Sequence, residues 1–481
     1  MTQAFEFEHG VKNRESDKPV LTVVESTAGL PILIGVAPIN TATEPAINEA
    51  KVAYSKKEAI KYFGYSTNFK DYTISEMIDA AFELYGVAPV AFINVLDPEK
   101  HKATGTETVD IVLSKAILKT EGILIDTLKL NPTGDETLLV KGTDYLSTFD
   151  DEGHVVITLL NSIPQAPLVA KFDKIDPTKV TEADIIGGAD VNTGKTTGIE
   201  AVNQVFPKYR LVPGQLLAPG YSENPVVEAV LKTKANNINT YFEGIALADI
   251  DTTAANVYNK VLDWKTDNNY TSPEEYICWP QVSYNGKQYR LSTHLACRIA
   301  LTDNQNGDIP YVSPSNKELK MNKAVLADGT EVYLGPDQAK YLNSIGVVTA
   351  LNFINGWVAW GNRTAAFPES TYVRETFMAI RRMRKWIGNT LILTHWKRVD
   401  DPTDRVQIDG VVDVTNMWLN GLESERALLG AKVAFLNEEN SEEDLANGIT
   451  RYHIYFASPT PNEQIDFILE YDSSFVGSLL D

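Results

Sequence analysis

Residues 189–196 read ADVNTGKT, a loose phosphate-binding pattern with Ala189 where the first glycine should stand. Such a loop cradles phosphates on successive backbone N–H groups, with lysine on the β and γ oxygens and a hydroxyl on Mg2+. Lys195 and Thr196 would take those roles. Three features weaken the match: the first glycine is missing, Asp190 would put a negative charge inside the nest, and the preceding apolar pair Ile185-Ile186 is cut short by Gly187-Gly188. A Gly-rich turn ahead of a helix accounts for the stretch better. Asp249 and Asp251 close an expected strand and could act as paired acids or Mg2+ ligands. With Thr252 and Thr253 next, the pattern fits a helix cap better. Ser222, in PGYSE, lacks the second glycine of a nucleophile elbow. Cys278 and Cys297 have no CxxC partner and read as buried free thiols. The histidines (His9, His101, His154, His294, His395, His453) are scattered, none at ligand spacing from another. The residues therefore predict no catalytic centre, no metal site and no cofactor.

At 481 residues the chain exceeds one ordinary core, and roughly three domains are expected. An apolar fraction of 43% and a charged fraction of 22% suit a globular protein. No run reaches the ~20 apolar residues of a bilayer span, so no membrane insertion is expected. The start, MTQAFEFEHG, has neither a basic nor an apolar leader region, and synthesis and assembly in a cytoplasm are expected. A net charge of −21 argues against nucleic acid as a partner. The charge is uneven. Residues 374–405 hold eight basic side chains against four acidic ones, and residues 409–481 hold three basic against fourteen acidic. Adjacent blocks of opposite sign suit a self-associating or partner-docking surface.

These candidates need elements to hold them. Residues 31–36 (PILIGV) and 90–95 (VAFINV) read as buried strands, with helical spacing over 55–63 and 74–85 between them. The second helix would put Ile74, Met77, Ile78, Ala81, Phe82 and Tyr85 on one face. Over 101–181 short alternating runs take over (123–130, 138–140, 155–160), with a hairpin signal at 150–153. The α/β pattern resumes at 185. Strands are expected over 211–218, 244–248 and 276–279, helices over 225–235 and 254–264, and a turn at Asn285-Gly286. Asn355-Gly356 turns a hairpin into Trp357 and Trp360. Helices are expected over 372–386, 411–422 and 441–447. Runs 449–457 and 465–471 are expected to form the closing antiparallel pair. The helix over 372–386 would turn Val373, Phe377, Ile380 and Ile387 inward and set Arg374, Arg381, Arg382, Arg384 and Lys385 apart as a basic docking face.

Both ends alternate like strands without a domain to close. Phe5, Phe7, His9 and Val11 lead the chain, and Ile465, Phe467, Leu469, Tyr471 and Phe475 trail it. A chain with a donor-like strand at each end is suited to pairing with copies of itself. The fold class expected is α/β (α+β) and multidomain. Its parts are an N-terminal donor arm (1–20), a discontinuous α/β domain (21–100 with 182–339), an inserted β-rich outer domain (101–181), a C-terminal α/β domain (340–463) and a C-terminal strand and arm (464–481).

The string VAWGNRT (358–364), with Trp360, Gly361, Asn362, Arg363 and Thr364 at its heart, is followed by a helix bearing Arg381-Arg382 and by a terminal hairpin. Together they resemble the tail sheath proteins of contractile phage tails and R-type bacteriocins. FEHGV (7–11), SPSNKE (313–318) and IIGG (185–188) followed by LAPGYS (217–222) are similar to family motifs and fall in the same order. The resemblance covers nearly the whole chain except 101–181. It implies a structural subunit that stacks in helical, six-membered rings around an inner tail tube protein, meets baseplate and tail terminator proteins, and donates its terminal strands to neighbours. Contraction would then drive the tube through an envelope without hydrolysis. By analogy the basic helix would face the tube and the inserted domain would lie outside. A virion tail or tailocin particle is the implied location. Two alternatives stay open: a P-loop nucleotide hydrolase using Lys195 and Asp249, and a surface-array polymer.

Overall fold

The computed structural model describes residues 23–150, 152–161 and 167–475. At its centre lies an eight-stranded sheet. Six strands run parallel, in chain order Pro31–Gly35, Val90–Asn94, Gln215–Leu217, Ile245–Asp249, Glu275–Cys278 and Val347–Asn352. In space the second strand flanks the first, and the third to sixth follow on the other side. Antiparallel strands Lys51–Ala53 and Trp357–Trp360 close the two edges. This is the strand order of a doubly wound sheet, whose chain direction reverses beside the first strand.

The strands are apolar at successive positions because both faces are covered. Pro31–Gly35 and Val90–Asn94 are buried throughout. Ile32, Ile34, Ile93 and Leu216 face the layer that contains helix Pro225–Ala235, while Leu33, Phe92, Leu217 and Leu247 face helix Leu291–Gln305 and residues 73–85. Each such side chain contributes about 1.5–3 kcal/mol by leaving water. The expected face of 74–85 packs here, in a helix (Thr73–Ile78) that widens over Asp79–Tyr85. Helix Lys56–Phe63 begins where the Ser55 side chain accepts from the Glu58 amide, and Ser441 does the same for Glu442–Ala446.

Several expected elements shift. Residues 211–218 yield only Gln215–Leu217, and the helix expected over 254–264 forms as Val261–Asp267. Ile185 lies in a short helix, Glu182–Ile186, rather than a strand. Sheet pairing of Ile277 with Val347 carries the central sheet across residue 340, so no break in the sheet falls there.

Between the second and third parallel strands the chain builds two three-stranded antiparallel sheets. One joins Lys102–Val109, Leu168–Ile175 and Lys129–Pro132; the other joins Lys115–Leu118, Val155–Leu159 and Tyr145–Phe149. Leu118, Leu130, Tyr145, Ile157, Leu168 and Phe172 form their shared core. The turn after Phe149 is held by the Asp150 carboxylate, which accepts from the amides of Glu152 and His154. Residues 138–140 do not form the strand their alternation suggested.

The reversal beside the first strand is filled with side chains. The Arg290 guanidinium donates to Glu76 Oε2 at 3.2 Å and to the Phe69 carbonyl at 3.3 Å. It packs so closely on Gly220 that a Cβ there would stand 2.7 Å from Arg290 Nη2. Glu76 also accepts from the Arg290 amide, and Asp249 accepts from the amide and hydroxyl of Ser292. Glu223 lies beside them with a buried Oε1 that has no hydrogen-bond partner.

Three acids share one guanidinium, and burial pushes the carboxyls up, Glu76 and Glu223 to about 7 and Asp249 to about 6. Each therefore binds a proton in the folded chain at pH values where the unfolded chain has lost it. Their contribution to stability is full below the ordinary carboxyl range and is lost as pH rises through 6–7. Melting temperature should fall between pH 5 and 7.5. Glu223→Gln should flatten that slope and gain on the order of 1–3 kcal/mol at pH 7.5. Parallel melting profiles of the two proteins would contradict this.

Candidate functional site

The motif around Trp360 positions the third part of the molecule. Trp357–Trp360 is the edge strand of the central sheet, and residues 316–319 cover its outer side: the Asn316 amide donates to the Ala359 carbonyl at 2.6 Å and the Leu319 amide to Trp357 at 2.9 Å. Gly361 has φ +135°, and a Cβ there would meet Asn343 Oδ1 at 2.8 Å, so only glycine fits without displacement. The Asn362 carbonyl accepts from the Met378 amide at 3.0 Å, and the Thr364 amide donates to the Thr376 carbonyl at 2.8 Å. This bridge holds Phe377 extended, at φ −88° and ψ 122°.

The helix expected over 372–386 is therefore two helices, Val373–Thr376 and Met378–His395. The break resets the helical phase, and the basic face expected to stand apart is corrected accordingly. Arg382 is buried and pairs with Asp303, with Nη1 to Oδ1 at 2.9 Å. Arg381 and Lys385 converge on Glu274, and Lys385 Nζ also donates to the Gly244 carbonyl at 2.6 Å. Burial opposes the charge on Glu274, but these two cations outweigh it and hold its carboxyl below the ordinary value. Arg384 reaches Glu243 and stays half-exposed, while the Arg374 side chain is 78% exposed. Asp303, Glu274, Glu243 and Gly244 lie outside the helix, the last three just before parallel strands. The helix braces the amino-terminal rim of the sheet rather than presenting one free basic face. Trp386 Nε1 adds a 2.8 Å bond to the Ser26 carbonyl.

The closing hairpin also differs from expectation. His453–Ala457 pairs antiparallel with Gly430–Ala434, not with 465–471. Ala431, Ile454 and Phe456 face the core formed with Trp386, Leu419 and Leu422, the last two from helix Arg405–Ser424. The two edges of this ribbon are unequal. On one side Glu423 accepts from the Ala431 amide, and Asn416 both accepts from the Val433 amide at 2.9 Å and donates to its carbonyl at 3.3 Å. On the other side no strand pairs with His453–Ala457 among the described residues. By ladder alternation, Ile454 and Phe456, opposite Val433 and Ala431, turn their main-chain groups to that open side.

Beyond Gln464 the tail runs clear of the body. Ile465, Phe467, Ile468, Leu469 and Tyr471 are 65–95% exposed and belong to no strand; Phe475 is also exposed. Phe5, Phe7, His9 and Val11 lie outside the described residues. Sequence reasoning missed Gly430–Ala434 and the edge-capping pair Asn416 and Glu423. The alternation of GAKVA was a signal, but its five residues are too short to stand out.

The candidates for chemistry find structural roles. Residues 188–197 form a small hairpin, Gly188–Ala189 with Thr196–Thr197, and no α-helix starts there to aim amides at a phosphate. Asp190 spends its carboxylate on the Asn192 amide and the Thr193 hydroxyl. Asp251 holds the Thr253 amide, whereas Asp249 caps the distant helix Leu291–Gln305 through Ser292. Ser222 Oγ accepts from the Asp249 amide. Both cysteines are buried. Among the described residues no group of three or more metal-ligating side chains converges, and no helix is long and apolar enough to cross a membrane.

No family model matches the chain. Among solved structures, the helical sheath of the anti-feeding prophage in its contracted state matches with a TM-score of 0.58 at 15% identity, covering 96% of this chain and 98% of that one. The sheath complex of the extracellular contractile injection system PVC, also contracted, matches at 0.57 and 14%, covering 98% and 100%. The fold is thus the α/β multidomain fold of contractile-sheath subunits. In sequence, the tail sheath protein of Burkholderia phage BcepMu is 29% identical over 98% of both chains. Over nearly its whole length the chain is thus similar to a tail sheath protein. These relatives support a contractile sheath subunit, and nothing among them supports a nucleotide hydrolase.

Proposed function

We propose that copies of this chain polymerise helically around an inner tail tube, as rings of six, and contract to drive the tube through a cell envelope. The observation that carries the mechanism is the presence, in one chain, of an open strand edge and of an exposed apolar stretch, 465–471, that belongs to no strand. A tail of one copy that adds to His453–Ala457 of another would gain a main-chain ladder, with the apolar side chains leaving water. The N-terminal arm, through Phe5, Phe7, His9 and Val11, serves the same exchange. Contraction is then a rigid repacking of bodies whose links persist, with no bond hydrolysed.

The domain division expected from the sequence belongs to this proposal, except that residues 347–360 complete the central sheet of the first α/β domain. The β-rich insertion lies on the outside of the sheath. Arg374 and Arg384 keep the exposure a contact with the tube needs, while Arg381, Arg382 and Lys385 serve the body. Assembly takes place in the host cytoplasm against baseplate and terminator proteins. Negative-stain images of the purified chain should show hollow cylinders with sixfold end views. Persistently monodisperse protein, or Mg2+-dependent ATP turnover lost in Lys195→Ala, would overturn the reading.

A further inference from the structure

The tail leaves the body through a single clasp. Within residues 459–474 Glu463 makes the one hydrogen-bonded contact with the body among the described residues, and its partner is Arg363, one hundred positions earlier. The pair is bidentate, with Nε to Oε1 at 2.8 Å and a second bond from Nη2 to Oε2. Arg363 is itself fixed from three sides. Its guanidinium lies 3.6 Å from the Phe377 ring centroid and 4.8 Å from that of Phe367, and Nη1 donates to Thr376 Oγ1 at 2.8 Å. A planar fork stacked on two rings offers one direction to a carboxylate, which a lysine could not. Pro459 and Pro461 stiffen the root on the near side. Beneath the root runs a groove of about 1200 Å³, lined by Tyr311, Lys340, Phe353 and Val358, so packing leaves other paths open to the tail.

We propose that the Arg363–Glu463 clasp is the positioning contact that sets the direction in which the C-terminal arm leaves the body, and thereby which neighbouring copy it reaches. The inference rests on the arm-exchange reading above. A tail tied at its root searches a narrow cone, so its effective concentration at one neighbour's edge rises.

Spin labels at Ser344→Cys and Ser474→Cys test this in the full chain, since both native thiols are buried. The parent should give one narrow distance distribution. Glu463→Gln should broaden it at least about twofold and raise the critical concentration for tube formation about fivefold, with melting unchanged. Arg363→Lys, which keeps charge but not fork or stack, should fall between. An unchanged width or an unchanged critical concentration in Glu463→Gln overturns the proposal. Deletion of 464–481 separates the two readings. Tubes from that truncation sink arm exchange itself, whereas lost tubes with an indifferent Glu463→Gln sink the clasp alone.

Discussion

Arg382→Met should cost about 3–5 kcal/mol and lower the melting transition by roughly 3–5 °C. Asp303 is 1% exposed and, among the described residues, has no other cation within bonding distance. Its loss of the guanidinium leaves a carboxylate in the interior with neither water nor counter-charge. Arg382 Nη2 also reaches the Ala28 carbonyl at 3.3 Å, so the change loosens the strand entry at Pro31 as well as the helix. Asp303→Asn should hurt less, because the amide oxygen can still accept a hydrogen bond from the guanidinium, which also keeps the Ala28 carbonyl. The double replacement Arg382→Met with Asp303→Leu should recover much of the loss, since two apolar groups leave nothing unpaired. Thermal melts of the three variants decide the matter. Equal losses in the single and double variants would mean that the ion pair does not hold helix Met378–His395 to helix Leu291–Gln305.

Deleting residues 464–481 should leave a folded subunit that forms no tubes. The segment carries Ile465, Phe467, Ile468, Leu469 and Tyr471, none of which packs into the body. An added strand of about five residues would make several main-chain hydrogen bonds at about 1 kcal/mol each, before any apolar gain. Losing some 5 kcal/mol per contact raises the critical concentration more than about a thousandfold. Sedimentation of the parent at concentrations where the truncation stays monomeric shows the effect. The melting temperature should hold, because the removed residues support no core.

Much of the central body was legible in the residues. PILIG and VAFIN announce strands buried on both faces, because only a covered sheet tolerates such runs. The spacing of Ile74, Met77, Ile78 and Ala81 gave the correct helical face, and Asn285-Gly286 and Asn355-Gly356 marked true hairpins. What failed was long-range. The break at Phe377 is imposed by backbone bonds from Asn362 and Thr364, which no local pattern encodes. Four of the five basic side chains looked like part of a free face because their partners Asp303, Glu274 and Glu243 lie 79–141 residues away. Likewise 465–471 alternates well enough to be paired with 449–457, but that strand pairs with Gly430–Ala434, farther off in sequence. Local alternation names a strand without naming its neighbour.

The filled notch beside the first parallel strand has a mechanical consequence. In sheets wound this way, small molecules usually lodge there, and walls on either side can close over them like a jaw. Here Arg290 and its carboxylates bolt the walls together, with Gly220 pressed against the guanidinium. The jaw has become a solid girder. A push delivered at one rim would then reach the other with little spent on flexing, which is what the proposed contraction asks of a subunit that swings as one piece.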